Sequence, residues 1–393
     1  MRRYGDFASA LPSPARVSII GEAGRFCLDA LHFYTYLLLL VRHHSAPVLA
    51  FPTIFPMRQS CMQTPWLSLL IPVFNCEPYL DDCVNSWLVS ADGSIEILFY
   101  DDASTDGSTE KLQAIGARAI PGLKVIHGLE NGGVSVARNR LLANATGEYV
   151  WFLDADDYLF PGALSQLRAV LLEHPEAAVI FDYQIVPESV DISVDSPADA
   201  RRVTVFGGAS NRLSHDKNAL FEGMFSRRRF HSWGRVYKRE LWNAGEPFPE
   251  GRYFEDLYSV ARTSALVQQY FYLPKALVAY RSRATSIVRS PSRKKVEDLL
   301  AAPRGVLEYW AARGVVLDER SRFAYYSFCV TNFVNAVKLM RKAGINSRDY
   351  IAVQRAQLLA DLNISLARLI LLHARYGRIA AIYRALRYMY ARR

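Results

Sequence analysis

None of the five cysteines (Cys27, Cys61, Cys76, Cys83 and Cys329) stands at C-x-x-C spacing from another. A zinc ribbon and a disulfide framework are both disfavoured, and the thiols read as reduced, in a cytosolic setting. Charge is sparse, at 22% of residues against 51% apolar, which excludes a disordered chain. Long apolar runs are missing as well. Leu31–Val41 covers about eleven residues, against the roughly 20 that a membrane-spanning helix requires. No G-x-G-x-x-G follows the first convincing strand, and no G-x-x-x-x-G-K-[ST] occurs, so a dinucleotide fold and a P-loop are disfavoured.

Acids run out toward the end of the chain. None follows Asp361, and from Arg313 onward 15 Lys and Arg face four acids, a surplus larger than the +9 of the whole chain. A basic tail on a slightly acidic body points to an anionic surface, a membrane or a nucleic acid. No nucleic-acid-binding motif accompanies the charge, so the membrane is preferred. Leu369, Leu372, Tyr376, Ile379, Tyr383, Leu386 and Tyr390 recur at steps of three and four, flanked by Arg368, Arg375, Arg378, Arg384 and Arg387. The spacing predicts one helix lying in an anionic membrane surface. The competing reading docks the same helix on protein, with snorkelling arginines.

The 393 residues divide into an extension (1–63), a catalytic-type domain (64–290) and a basic helical region (291–393). In the extension the Leu31–Val41 run is preceded by Arg25 and Asp29 and closed by Arg42, His43 and His44. It reads as an interfacial anchor, a weak signal-like segment, or upstream sequence translated from a wrongly assigned start. The last is favoured, because Met57 and Met62 stand just before the first convincing strand.

From Trp66 the pattern becomes regular. "WLSLLIPVFN" is a nearly continuous apolar run, as expected of a strand buried on both faces of a parallel sheet. Helix and strand then alternate through "IEILFYDDASTDGS", "LKVIHG", "VSVARNRLLANA", "EYVWFLD", "GALSQLRAVLLEH" and "AAVIFDY". Such alternation predicts an α/β fold with a Rossmann-like, mostly parallel sheet flanked by helices, whose ligand sits at the carboxyl ends of the strands. That rim is acidic: Asp101 and Asp102 end one strand, and Asp154 and Asp156 end another. A single Asp such as Asp106 or Asp157 often does no more than cap a helix or shape a turn. Two acidic clusters on one rim fit better as holders of a hard divalent cation, Mg²⁺ or Mn²⁺, that bridges them to a phosphorylated ligand.

The series "LSLLIPVFN", "ILFYDDASTDGS", "NGGVSVARNRLLANATGEYVWFLDADD" and "FED" resembles the motifs of family 2 glycosyltransferases with the GT-A fold, over about Leu67 to Ser290. The resemblance implies roles. Asp102 would contact the nucleotide base, the loop Pro72, Val73 and Asn75 would line the same pocket, and Arg138 would lie near the base or the diphosphate. Asp154-Ala155-Asp156 matches the D-x-D element, with Asp156 a metal ligand and Asp154 nearer the ribose or reaching the metal through water. Asp256 of "GRYFEDLYS" takes the place of the catalytic base, and Glu255 shapes the acceptor site. "HSWGRVYKRELW" matches an acceptor-side segment in which Trp233 either stacks on a sugar or belongs to the core; His231 is read as structural. Arg281 and Arg283 of "YRSRATSIV" are expected to reach the diphosphate. One departure is Ala103, where the family has glycine; alanine takes positive φ only at a cost.

The expectation is therefore an inverting, metal-dependent hexosyl- or N-acetylhexosaminyltransferase using a nucleotide-diphosphate sugar donor and a saccharide or lipid-linked acceptor. Its expected place is the cytoplasmic membrane face, in cell-surface polysaccharide synthesis. The processive signature Q-x-x-R-W is absent, which favours transfer of a single sugar. The irregular, Ser/Asp/Arg-rich segment 187–218 is where acceptor-specific variation belongs. The alternatives are a nucleotidyltransferase, for which "IPVFNCEPYL" lacks a phosphate loop, and a catalytically silent membrane-associated binding module.

Overall fold

The computed structural model describes residues 64–189, 200–283, 291–345 and 347–390. The extension, residues 190–199 of the irregular segment 187–218 and residues 284–290 of "YRSRATSIV" lie outside these. The elements run in chain order as β1 (Leu67–Val73), α1 (Leu80–Leu88), β2 (Ile95–Asp101), α2 (Ser108–Gly116), β3 (Leu123–His127), α3 (Val134–Asn144) and β4 (Tyr149–Phe152). Next come β5 (Tyr158–Leu159), α4 (Ala163–Glu173), β6 (Ala178–Pro187), β7 (Arg201–Val203), β8 (Leu213–Ser214), α5 (Lys217–Arg227), β9 (Arg235–Lys238), α6 (Arg239–Ala244), α7 (Glu255–Thr263) and β10 (Tyr270–Ser282). Six helices close the chain: α8 (Arg293–Ala301), α9 (Val306–Ala311), α10 (Glu319–Lys342), α11 (Arg348–Asp361), α12 (Leu366–Arg375) and α13 (Ile379–Tyr390).

One mixed sheet has the order β3-β2-β1-β4-β9-β6-β10-β5, with β7 beside β6 and β8 beside β10. β3, β2, β1 and β4 run parallel, as the alternation predicts. β9 then inserts antiparallel between β4 and β6, while β6 and β10 are parallel over a long register. Nearly all residues of β1 and β2 are buried, as expected of central strands, and the polar Ser68 and Glu96 within them bond each other at 2.6 Å. Their register pairs Val73 with Asp101, and β4 ends level with Leu70 at Phe152. Both acidic stretches therefore leave the sheet on the same edge.

The helical region is built onto this domain. Trp310 lies edge-on to Phe221 at 4.7 Å and donates its indole N–H to the Ala261 carbonyl at 2.8 Å. Tyr325 and Phe328 of α10 pack on Phe225 of α5 at 5.2 and 5.4 Å.

The single amphipathic helix expected at the end is instead two, α12 and α13. The chain reverses at Gly377, whose φ of +66° suits glycine. The stripe is divided accordingly. Leu369 and Leu372 are buried, whereas Ile379, Tyr383 and Tyr390 are exposed, and α13 buries Ile382, Ala385 and Met389 instead. Among the described residues no single helix is long and apolar enough to cross a membrane; α11 and α12 together reach that length but are bent by 70°.

Candidate active site

The loops after β1 and β2 are knitted together on the rim. Asn75, at φ +51°, accepts the Thr105 N–H on Oδ1 at 2.8 Å and donates through Nδ2 to Thr105 Oγ1 at 3.2 Å. Val73 turns its side chain into the core and offers this loop only its carbonyl, which accepts the Asp102 N–H at 2.9 Å. Pro72 is half-buried, and Phe74 beside it is 45% exposed. Ala103 does adopt the left-handed region, at φ +54°, so the turn is kept despite the missing glycine.

Asp102 is buried. Its two oxygens accept the N–H groups of Gly132 and Gly133 at 3.0 and 2.7 Å, which fixes the entry to α3. Each oxygen keeps a lone pair for a further donor. Asp101 is occupied locally by Ser104 and Thr109, and Asp106 by the amides of Glu77 and Ser108, so Asp106 takes the turn-shaping reading.

Arg138, from α3, is the centre of the site. Its guanidinium is 3% exposed and reaches Asp154 Oδ1 at 3.0 Å, Glu255 Oε1 at 2.8 Å and Asp256 Oδ1 at 2.9 Å. Phe152 and Phe248 flank it at 5.9 and 5.4 Å. Burial opposes its charge, but Asp256, Asp154 and Glu255 outweigh that and raise its pKa. The neighbouring Asn139 escapes the sequence reading. Its side-chain amide grips Phe248 through both N–H and C=O, at 2.9 Å each, and so holds the loop that backs Arg138. The available signal is a polar Asn inside a helix next to a buried arginine. Asp256 and Glu255 lie in the first turn of α7, behind Phe254 at φ +63°. Burial, then repulsion from Asp256, lifts the Glu255 carboxyl to about 7 against the pull of Arg138.

Asp154, Asp156 and Asp157 bring one oxygen each within 4.8 Å of one another. Burial, then repulsion from Asp154, raises Asp156 to about 6, opposed by Arg283, whose Nη2 lies 2.7 Å from Asp156 Oδ2. Asp157 is fully buried, and burial plus both neighbouring carboxylates push it well above the usual carboxylate range. Its Oδ1 accepts the Arg281 N–H at 2.8 Å, while its buried Oδ2 has no partner among the described residues. Asp157 does not cap α4, whose N-cap is Gly162.

Arg281 lies against the acidic cluster. It is buried, with Nε on the Asp156 carbonyl (3.0 Å), Nη1 on the Glu188 carbonyl (2.7 Å) and Nη2 on Asp82 (2.8 Å), so its donors serve the scaffold. Arg283 is the more accessible cation, over the Tyr79 ring at 5.2 Å. Trp233 takes the core position of its two readings. It is 2% exposed, stacked between His231 and Tyr280 at 4.6 and 5.6 Å, and presents no face to a sugar. Arg138 thus joins Asp154, Glu255 and Asp256, while Asp156 pairs with Arg283 and lies within 4.8 Å of Asp154; the side chains of Val73 and Trp233 are buried in the core.

Residues 68–231 match the family described as Glycosyl transferase family 2. The chain is 30% identical over 244 residues to the putative glycosyltransferase EpsH of Bacillus subtilis, spanning 61% of this chain and 67% of that protein. It is 27% identical over 259 residues to glycosyltransferase GlyA of Streptococcus pneumoniae serotype 4, spanning 64% of this chain and only 36% of GlyA. Among solved structures, TarS 1–349 of S. aureus superposes with a TM-score of 0.57 at 21% identity, covering 81% of this chain and 89% of TarS 1–349. That likeness shows a shared fold. With the motif series on one rim and the match to the family, the chain belongs to glycosyl transferase family 2.

Proposed function

We propose that this chain is an inverting glycosyltransferase that moves one hexosyl or N-acetylhexosaminyl unit from a nucleotide-diphosphate sugar to a hydroxyl of a saccharide or lipid-linked acceptor. The observation that carries the reading is the bridge made by Arg138. One guanidinium holds both Asp154 and Asp256, at 3.0 and 2.9 Å, so a candidate base and a candidate cation-binding cluster share a rim. TarS has been solved in complex with UDP and with UDP-GlcNAc, which makes UDP-sugars the first donors to test.

The acid cluster fits Mg²⁺ or Mn²⁺. It offers three close carboxylates, one orphaned buried oxygen on Asp157, and mutual repulsion that a divalent charge relieves. Asp156 would hold the ion, with Asp154 beside it. When bound, the ion neutralises charge developing on the departing diphosphate. Asp102 and the loop Pro72–Asn75 would receive the nucleoside. Asp256 is tied to Arg138 through Oδ1, and its other oxygen would accept the acceptor's hydroxyl proton. The new C–O bond forms at the anomeric carbon as the bond to the diphosphate oxygen breaks on the opposite face. The electron pair leaves with the diphosphate and the anomeric configuration inverts. Glu255, next to the base on α7, would face the acceptor.

Cell-surface polysaccharide synthesis at the cytoplasmic membrane face is the setting proposed. Supporting a peripheral contact with anionic lipid are the exposed Ile379, Tyr383 and Tyr390 on α13, among Arg384 and Arg387. The test is a panel of UDP-, GDP- and dTDP-sugars with Mn²⁺, read by product NMR. Transfer with inversion from one donor supports the reading. Transfer of a nucleotidyl group, or retention at the anomeric carbon, overturns it.

A further inference from the structure

A second charged cavity lies in the helical region and shares no residue with the acidic site. It has a volume of about 160 Å³ and is enclosed by α5, α10 and the turn between α12 and α13. Its floor is aromatic: Phe323 stacks on Tyr376 at 4.4 Å. Its walls carry Arg228, Arg320 and Arg378, with Glu222 as the acid. Glu222 is already engaged by Arg320 Nε at 2.8 Å. Among the described residues neither Arg228 nor Arg378 forms an ion pair, and both are exposed residues that line the one cavity.

Both arginines are positioned by helix ends. Arg228 closes α5 in the left-handed region at φ +59°, its N–H on the Met224 carbonyl. Arg378 follows Gly377, its N–H on the His373 carbonyl at 2.7 Å. Two exposed like charges repel only weakly through water, and an anion placed between them would replace that repulsion by attraction to both. Burial, followed by repulsion from Arg378 and Arg229, lowers the Arg228 pKa, in keeping with that crowding.

We propose that the Arg228–Arg378 cavity is a binding site for a phosphate group, with the two guanidiniums as its ligands and the Phe323–Tyr376 stack beneath it. Planar guanidinium forks match phosphate oxygens in geometry and charge. A phosphomonoester lipid headgroup and free phosphate share this chemistry. The exposed apolar residues of α13 begin at Ile379, one residue beyond Arg378, so the lipid contact proposed above would lie next to the site.

The test uses the full chain in chelator-containing buffer, where the acidic site repels anions. Inorganic phosphate is titrated calorimetrically, and flotation is measured on vesicles of phosphatidylcholine with or without phosphatidic acid. The variant is R228N with R378Q, since Asn tolerates the left-handed backbone at 228. R384Q with R387Q is the control, removing equal charge from α13 outside the cavity. Saturable phosphate binding that weakens at least about tenfold in the cavity variant and not in the control supports the site. Loss of phosphatidic-acid flotation in the same variant assigns a lipid headgroup; flotation unchanged alongside lost phosphate binding assigns free phosphate. Absence of saturable phosphate binding to the parent chain, or equal loss in both variants, overturns it. Donor turnover by the cavity variant reports that it is folded, and R378Q alone serves if the double variant is not.

Discussion

Replacing Arg138 by Gln tests the electrostatic account of the site where it is most exposed to failure. Arg138 is 3% exposed and makes three charge-assisted hydrogen bonds of 2.8–3.0 Å to Asp154, Glu255 and Asp256. Removing one partner of a buried ionic cluster costs about 3–5 kcal/mol, because charges are left without compensation in a poorly solvated place. The abandoned carboxylates have an escape, which is to take up protons. Glu255 is held at about 7 even with Arg138 present. Without the arginine, Glu255 loses the guanidinium that favours its ionised form and keeps its proton in the folded state to still higher pH. The folded state then binds more protons, so the stability of R138Q falls as pH rises. The gap between the parent and R138Q should be about 3–5 kcal/mol near pH 8 and shrink, on descending to about pH 5.5, by about 1.4 kcal/mol per pH unit for each proton the folded variant holds beyond the folded parent. Urea unfolding followed by tryptophan fluorescence at the two pH values measures it. A gap below about 1 kcal/mol near pH 8, or one that does not change with pH, would refute the reasoning.

Other outcomes follow from the same geometry. Ala103→Gly should stabilise the fold by about 1 kcal/mol, because glycine relieves the strain of φ +54°, and a thermal melt would show the rise in Tm. Trp233→Ala should cost about 3–5 kcal/mol while leaving the KM for acceptor unchanged in the folded fraction, since the ring is core. A raised acceptor KM without loss of stability would restore a sugar-stacking role. In the parent chain, Glu255 sits above its unfolded value. Its contribution is present at low pH and lost as pH rises from roughly 4.3, the unfolded value, through about 7, a slope that Glu255→Gln should flatten in pH-dependent unfolding.

Much of the donor-side architecture is legible in the sequence because it rests on local rules. Apolar runs covered on both faces announce β1 and β2, and the acids at their ends must fall on one rim once the strands are parallel. The insertion of β9 between β4 and β6 is not legible, since an antiparallel strand contributed from far along the chain leaves no periodic trace. The partners of the acids are hidden for a similar reason. Arg138 meets Glu255 and Asp256 across 117 and 118 residues, and Arg281 meets Asp82 across 199, separations that no local pattern encodes. Motif position places Val73 and Trp233 at the site, whereas the burial of their side chains is set by the strand and by ring stacking. The tail misleads because periodicity alone runs across Gly377, where the backbone turns.

The central claim is that Asp256 accepts the proton in glycosyl transfer while Asp156 serves the donor's diphosphate. The most direct measurement compares transfer and donor binding, with Mn²⁺ present, in the parent chain, Asp256→Asn and Asp156→Ala. The account predicts that Asp256→Asn keeps donor binding but loses transfer by roughly two to four orders of magnitude, the usual share of a general base, and that Asp156→Ala loses both. Transfer at the parent's rate in either variant would contradict it.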